Sequence, residues 1–405
     1  MSSKNRCFGT IKALRRLRPE LLCDVLRKFA ECLAEWGINL PEEPGFENMP
    51  YEAIHAACMH AELPQELDDV LYFTCALGTA PGWENVKAEA KFQRLDINFP
   101  TEKHTTADLV MRAWIHDWPR NRLLLEQSYA RAKIHGKSAY VYYAASQDFR
   151  SNYQAPGEVQ IAALRQRLDD HFIREGIGKG TSVVVYDFEK EIWFLVRHPG
   201  HTQRFSAISE DGELTSVSFK PEEYDAVVYH KEFGDLRLNT NRKPEHTRYR
   251  IEFADLLLNQ ANVFDPTYKM IHLDPLRGDC QKLLRCQDIP GLSYIAPIEV
   301  GYTSLKRPDV LMRMKAMNNS TLMFYEASSP NLMGDDEVDT VHYARFRYRL
   351  TDRTQMGSIT VHAGDTLTYE RDGDSSVLET WLRKRKFMRS LIDGNENATR
   401  LASNH

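Results

Sequence analysis

The stretch Thr181-Ser182-Val183-Val184-Val185-Tyr186, followed after a polar break by Glu191-Ile192-Trp193-Phe194-Leu195-Val196-Arg197, is where the hydrophobic pattern of the chain changes period. Just upstream, Ile161, Leu164, Leu168 and Phe172 recur every three or four residues, which lines one face of a helix, and Gly176 stands where that helix would stop. Downstream, β-branched and aromatic residues come in short runs separated by turn pairs such as Asp211-Gly212 and Gly234-Asp235, the pattern of paired strands. Strands are expected at residues 181–186, 191–197, 204–208, 214–219, 225–229 and 236–239. Pro244 then opens a helix carrying Tyr249, Phe253, Leu256 and Leu257.

Outward from this module the two ends of the chain differ. Toward the N-terminus the helical period holds, with Leu14, Leu17, Leu21, Val25, Phe29, Leu33 and Trp36, then breaks at Pro41, Pro44 and Pro50. Thr106 is a candidate cap for a helix through Leu109, Met111 and Trp114, and Leu123 to Ala132 forms another before the aromatic run Tyr140, Tyr142, Tyr143. Toward the C-terminus, strands are expected at 270–273, 294–302, 321–325, 342–350, 358–362 and 366–370. A closing helix follows, with Ser376 and Glu379 as its capping box and Leu378, Trp381 and Leu382 on its apolar side. The fold class is α+β: a helical N-terminal domain followed by mainly antiparallel β-sheet modules with flanking helices. The polar segment 151–157 marks a boundary, which gives a helical head (1–150), an α+β middle module (157–265), a β-rich C-terminal module with its closing helix (266–390) and a flexible tail (391–405).

The chain has 405 residues, with 52 Lys and Arg against 57 Asp and Glu, so no global field marks it as a nucleic-acid coat. The charge is uneven: residues 1–28 hold eight cations and two acids. No apolar run approaches a membrane span, mean hydropathy is −0.50, and the basic N-terminus lacks a signal-peptide apolar core. The seven cysteines form no CxxC pair, so most are expected as free thiols of a cytoplasmic protein.

Motifs with chemistry are few. Gly176 to Ser182 joins glycines, a lysine and hydroxyls, but a helix precedes it and a strand follows, the reverse of a phosphate-cradling loop, so it reads as a helix stop. His198 and His201 share a turn without further metal ligands nearby, and His55, Cys58 and His60 spread around one helix. His116-Asp117, with His104 upstream, has the form of a metal-dependent phosphohydrolase dipeptide, and Asp335, Asp336, Glu337 and Asp339 form an acidic loop without the order of a calcium site. These support only a diverged metal-dependent hydrolase or nuclease as the alternative reading. No catalytic residue, metal site or cofactor is assigned.

The feature with most weight is Arg345-Phe346-Arg347-Tyr348-Arg349-Leu350. On a strand, Arg345, Arg347 and Arg349 share one face, where guanidiniums repel unless acids or phosphates lie across them. The closing helix adds Arg383, Lys384, Arg385 and Lys386, then Arg389, with no acid among them. If strand and helix share a face, the two sets make a basic surface for nucleic acid or another anion. The plainer reading is that neighbours such as Glu370 pair the strand row, and that the helix places cations at its own C-terminus, where the dipole favours them.

The leucine-rich start at Pro19-Glu20-Leu21-Leu22, the strands Val183-Val184-Val185-Tyr186 and Tyr224-Asp225-Ala226-Val227-Val228-Tyr229, and the segment Gly234-Asp235-Leu236-Arg237-Leu238 before a helix resemble an uncharacterised bacterial family. The resemblance implies a helical head, a β-rich middle and phage-defence gene neighbourhoods; it implies no catalytic residues. The expectation from sequence is therefore a recognition or scaffold component of a multi-protein system, with a protein partner, contact to nucleic acid through the C-terminal basic surface, and no membrane.

Overall fold

Threonine caps start several helices of the first part of the chain. Thr10 Oγ1 accepts from Ala13 N and Thr79 Oγ1 from Gly82 N, both at 3.2 Å, and Thr105 forms a reciprocal box with Asp108. The computed structural model describes residues 10–58, 63–97, 99, 104–118, 123–135, 139–208, 212–277, 280–316, 338–369 and 375–389. The chain divides into two units, Met1–Lys133 and Ile134–His405.

The first unit is helical: α1 (Ile11–Leu14), α2 (Pro19–Leu26), α3 (Ala30–Glu35), α4 (Tyr51–Cys58), α5 (Gln65–Leu77), α6 (Ala80–Phe92), α7 (Thr106–Asp117) and α8 (Leu123–His135). Its core takes in Leu14, Leu17, Val25, Leu33, Leu109, Met111 and Trp114 of the period read from the sequence, joined by Leu22, Val70 and Val86, while Leu21, Phe29 and Trp36 are only half-buried. The cap of α7 is Thr105 rather than the expected Thr106, because Asp108 lies three residues after Thr105 and closes the box. Asp108 also accepts from Arg18 N at 2.9 Å, so one buried carboxylate fixes the starts of α7 and α2.

The second unit is built on one antiparallel sheet. Its strands are β1 (Ala139–Tyr143), β2 (Ser182–Asp187), β3 (Glu191–Pro199), β6 (Glu222–His230), β7 (Leu236–Asn239), β8 (Leu292–Ser304), β9 (Arg307–Lys315), β10 (Val338–Leu350), β11 (Gly357–His362) and β12 (Thr366–Tyr369), in the order β2-β3-β6-β7-β1-β12-β11-β10-β8-β9. The expected strands at 204–208 and 214–219 form a separate exposed ribbon, β4 (Gln203–Ile208) and β5 (Leu214–Phe219). Helices α9 (Glu158–Arg174) and α10 (Lys243–Leu258) cover one sheet face, where Leu164, Leu168, Phe172, Tyr249 and Phe253 meet Ile192, Phe194, Val227 and Leu238. Gly176 ends α9 at φ +74°, a conformation costly for a residue with a Cβ, while Ile177 N bonds back to Phe172 O at 2.8 Å.

The aromatic run 139–143, read as the end of a helical head, is the seam of this sheet. Tyr142 pairs with Arg237 of β7, and Tyr140 pairs with Leu367 of β12. The strands expected in the modules 157–265 and 266–390 therefore join through β1 into one sheet, and the division of the chain falls at 133/134, ahead of the expected 150. The segment expected as a linker packs within the second unit, where Gln154 N donates to Leu257 O at 2.9 Å. Residues 270–273 make only isolated bridges from Ile271 to Gly364 and Met388 instead of a strand. The unforeseen β9 is a sheet edge exposed along most of its length, so no face of it demands an apolar period. The expected strand 321–325, the acids Asp335, Asp336 and Glu337, Glu370 and the tail 391–405 lie outside the described residues.

A last helix, α12 (Ser375–Lys384), lies on the sheet face opposite α9 and α10. Glu379 is not its capping residue. Its carboxylate is buried and accepts from Arg237 Nη2 at 2.6 Å, Tyr369 OH at 2.8 Å and Tyr142 OH at 3.1 Å. Among the described residues no helix is long and apolar enough to cross a membrane. Cys23, Cys32, Cys58 and Cys286 are free thiols, whereas Cys75 is disulfide-bonded.

Candidate anion-binding site

Burial alternates along β10 as the sequence predicts: Phe346, Tyr348 and Leu350 are buried, Arg345 and Arg347 half-buried, and Arg349 exposed. Hydroxyls of adjacent strands meet two of the arginines, with Arg345 Nη2 donating to Ser358 Oγ at 3.1 Å and Arg349 Nε to Ser293 Oγ at 3.3 Å. Phe346 packs against Trp381 and Phe387, with ring centroids 5.1 and 5.7 Å apart. That contact places α12 on the Phe346 face, and the pleat turns the arginine row to the other. The joint surface of strand and helix expected from sequence is therefore corrected: the two cation sets stand on opposite faces.

The helix cations also divide. Arg383 is drawn inward, donating to Asp235 Oδ1 at 2.8 Å and lying over the Phe233 ring. Arg385 is 9% exposed and grips Asp288 with two bonds of 2.6 and 2.9 Å, while its Nε donates to Leu283 O at 3.1 Å. This fork holds the Asp288 carboxyl down to about 2. Lys384 and Lys386 are exposed, Lys384 reaching Asp288 O at 2.6 Å.

Where the end of α12 meets the 3₁₀ turn Asp274–Arg277 and helix α11 (Cys280–Leu284), there is a pocket of about 320 Å³. Five cations line it: Lys282, Lys384, Arg385, Lys386 and Arg389. Among the described residues Asp274 is the one carboxylate of the lining, 3.3 Å from Arg389, and Pro275 and Leu283 supply an apolar wall. Helix-dipole compensation accounts for cations in the last turn of α12 and for Lys282 in the last turn of α11, but not for Arg389 beyond the end. Arg389 could be read from the sequence as part of the basic run. Lys282 and Asp274 carried no signal, since roughly a hundred residues separate them from α12.

The backbone at the pocket rim is unusual. Phe387 N bonds to Leu382 O at 2.9 Å and Lys386 N to Arg383 O at 3.0 Å, the paired closure of a helix ending on a left-handed residue. Glycine usually fills that position; here it is Lys386, at φ +61°.

Among the described residues one set of side chains has metal-ligand proximity: Glu191, His230 and Glu379. A guanidinium already serves these carboxylates. Arg237, fully buried, donates to Glu191 Oε1 at 2.9 Å, to Glu379 Oε2 at 2.6 Å and to Asp235 Oδ2 at 3.3 Å. Its pKa is raised well above normal because Glu379 and Glu191 outweigh the burial that opposes its charge. A fixed cation at the centre of the set makes it a structural ion network rather than a metal site.

The other sequence candidates do not converge. Asp117 is buried and accepts from Leu124 N at 3.2 Å, and His116 lies against the Phe99 ring. The glycine segment reads as a helix stop, with Gly180 N and Thr181 N donating to Asp169 Oδ1 at 3.0 and 2.9 Å, so a carboxylate holds the amides an anion would need. His201 is exposed, whereas His198 is 2% exposed, with Nε2 3.1 Å from Asp225 Oδ2 and Nδ1 2.8 Å from Pro199 O. Burial opposes its charge, yet Asp225 and the Pro199 carbonyl raise its pKa. A raised folded-state pKa gives stability that is complete below the unfolded value of about 6.5 and lost as pH rises through the folded value. Chemical denaturation at several pH values should therefore show wild type ahead of His198→Gln below about pH 6.5, with the gap closing above it; a constant gap contradicts a charged His198.

No protein-family model matches the chain, and no curated protein sequence is significantly similar to it.

Proposed function

We propose that this protein is a recognition or scaffold component of a multi-protein bacterial system and that it contacts nucleic acid or another phosphate-bearing anion at the pocket beside α12. The supporting observation is the convergence of five cations from two segments, Lys282 and residues 384–389, on one concavity with a single carboxylate among the described residues of its lining. Arg383 and Arg385 are held by Asp235 and Asp288, whereas the side chain of Lys386 is exposed on the rim of the pocket. The antiphage setting of the proposal is supported by the sequence resemblance.

The test is fluorescence anisotropy with labelled single-stranded and duplex oligonucleotides across a salt series. Removing Lys282, Lys386 and Arg389 together by alanine should weaken binding at least roughly ten-fold and flatten the log–log salt slope by about 2–3, as expected when three phosphate contacts go. The Arg345→Ala/Arg347→Ala/Arg349→Ala variant, changed on the other face, should bind within about two-fold of wild type. Equal binding by wild type and the pocket variant sinks the proposal.

A further inference from the structure

We infer that the pocket beside α12 takes a phosphomonoester, the terminal phosphate of a nucleotide or of a nucleic-acid end, in preference to the phosphodiester backbone along its length. This rests on the reading of the pocket as an anion site and narrows it to one ligand chemistry.

Shape is the first reason. Proteins that track a nucleic-acid backbone do so along an open groove whose cations follow the strand. Here the cations surround one cavity of about 320 Å³, close to the lower limit for small-molecule sites and matched to a phosphate with its attached sugar and base. Charge is the second. A phosphomonoester is near its dianion at neutral pH, with a second pKa of about 6, whereas a diester carries a single charge. Arg385 is neutralised by Asp288; Lys384, Lys386 and Arg389 lie in the same lining as Lys282, with Asp274 its one carboxylate among the described residues, and so cationic a lining favours the more highly charged group.

The composition of the wall gives the third reason. Asp274 sits beside Arg389 as an acceptor, and Pro275 and Leu283 offer apolar surface. Phosphate alone has no use for either. A sugar hydroxyl can donate to the carboxylate, and a sugar or base face can lie on the apolar side chains.

Lys386 is the fourth reason and the one with its own readout. It occupies the left-handed position closing α12, where glycine is unstrained, and its exposed side chain makes no hydrogen bond or ion pair among the described residues. Of the four non-glycine residues with positive φ among the described residues, two are asparagines, which tolerate it; Arg94 and Lys386 are the long side chains. A lysine kept at a strained position on the rim of a cationic pocket contributes there through its ammonium group, since the backbone would be better served without it.

The experiment uses the full chain and fluorescein-labelled single-stranded 12-mers that differ only in a 5′-phosphate or a 5′-hydroxyl, with adenosine monophosphate as unlabelled competitor and adenosine as control. Wild type should bind the 5′-phosphorylated oligonucleotide at least roughly ten-fold more tightly than the 5′-hydroxyl form, with displacement by adenosine monophosphate but not by adenosine. Lys386→Gly should abolish the preference while its melting temperature stays equal or rises; Lys282→Ala should reduce it on an untouched helix end. Displacement by adenosine monophosphate without a 5′-phosphate preference would assign the same chemistry to a free nucleotide. Equal binding of both oligonucleotides, weakened equally by both substitutions and not relieved by adenosine monophosphate, overturns the phosphomonoester inference while leaving an anion site. Binding indifferent to both substitutions overturns both.

Discussion

Arg237→Met should unfold the second unit at markedly lower denaturant and temperature than wild type. The guanidinium is fully buried and bonded to three carboxylates, those of Glu191, Asp235 and Glu379, drawn from β3, the turn before β7 and α12. Methionine fills similar volume but removes the charge, leaving Glu191 and Glu379 desolvated without their cation. Asp235 keeps Arg383, and despite burial its pKa is lowered by Arg383 and Arg237. Breaking a buried pair by removing one partner costs about 3–5 kcal/mol. For a unit of this size each kcal/mol moves Tm by roughly 2–4 °C, so a fall of about 6 °C or more is expected. The double variant Arg237→Met/Glu379→Gln should lose less than the sum of its single variants, because neutralising Glu379 removes part of the stranded charge. Calorimetry checks both points; a Tm within about 2 °C of wild type contradicts the network's role.

Trp381→Ala carries the second large effect, and it reaches the candidate site. The indole is completely buried, its ring meets Phe346 and Phe387 at 5.1 Å each, and its Nε1 donates to Leu283 O at 3.2 Å. Truncation to alanine removes the wedge between α12 and the sheet and should cost about 3–5 kcal/mol. It also releases the tie between α12 and α11, the two elements that bring Lys384 and Lys386 toward Lys282. Anion binding should weaken even under conditions where the variant is folded. Trp381→Phe keeps most of the packing and loses one hydrogen bond, so its cost should be about 1 kcal/mol. Urea unfolding together with phosphate-competition binding separates the two effects; alanine and phenylalanine variants of equal stability would contradict this role for the ring.

Much of the local structure was legible because it is written in short-range terms. The period of Ile161, Leu164, Leu168 and Phe172 and the stop at Gly176 predict α9, and the alternation of Arg345 to Leu350 predicts which side chains of β10 enter the core. Misreadings arose where a local pattern had a non-local use. Ser376 and Glu379 have capping-box spacing, yet Glu379 turns inward to a cation on β7, because a buried Arg237 needs a carboxylate more than the helix start does. Tyr140, Tyr142 and Tyr143 follow a long helical tract and gave no hint that five residues would join two groups of strands.

For the candidate site, the sequence by itself determined that cations concentrate in residues 383–389, that the fold is α+β, and that arginines and aromatics on β10 face opposite ways, since composition and a two-residue period need no partner to be read. Only the tertiary structure decided which cations remain for a ligand. It paired Arg383 and Arg385 with Asp235 and Asp288, put the β10 arginines on the far side of the sheet, and brought Lys282 and Asp274 across roughly a hundred residues to complete the pocket. The reason is physical: a charge becomes available or spent only through the groups that packing sets beside it, and those pairings are made by sheet order and helix docking rather than by distance along the chain.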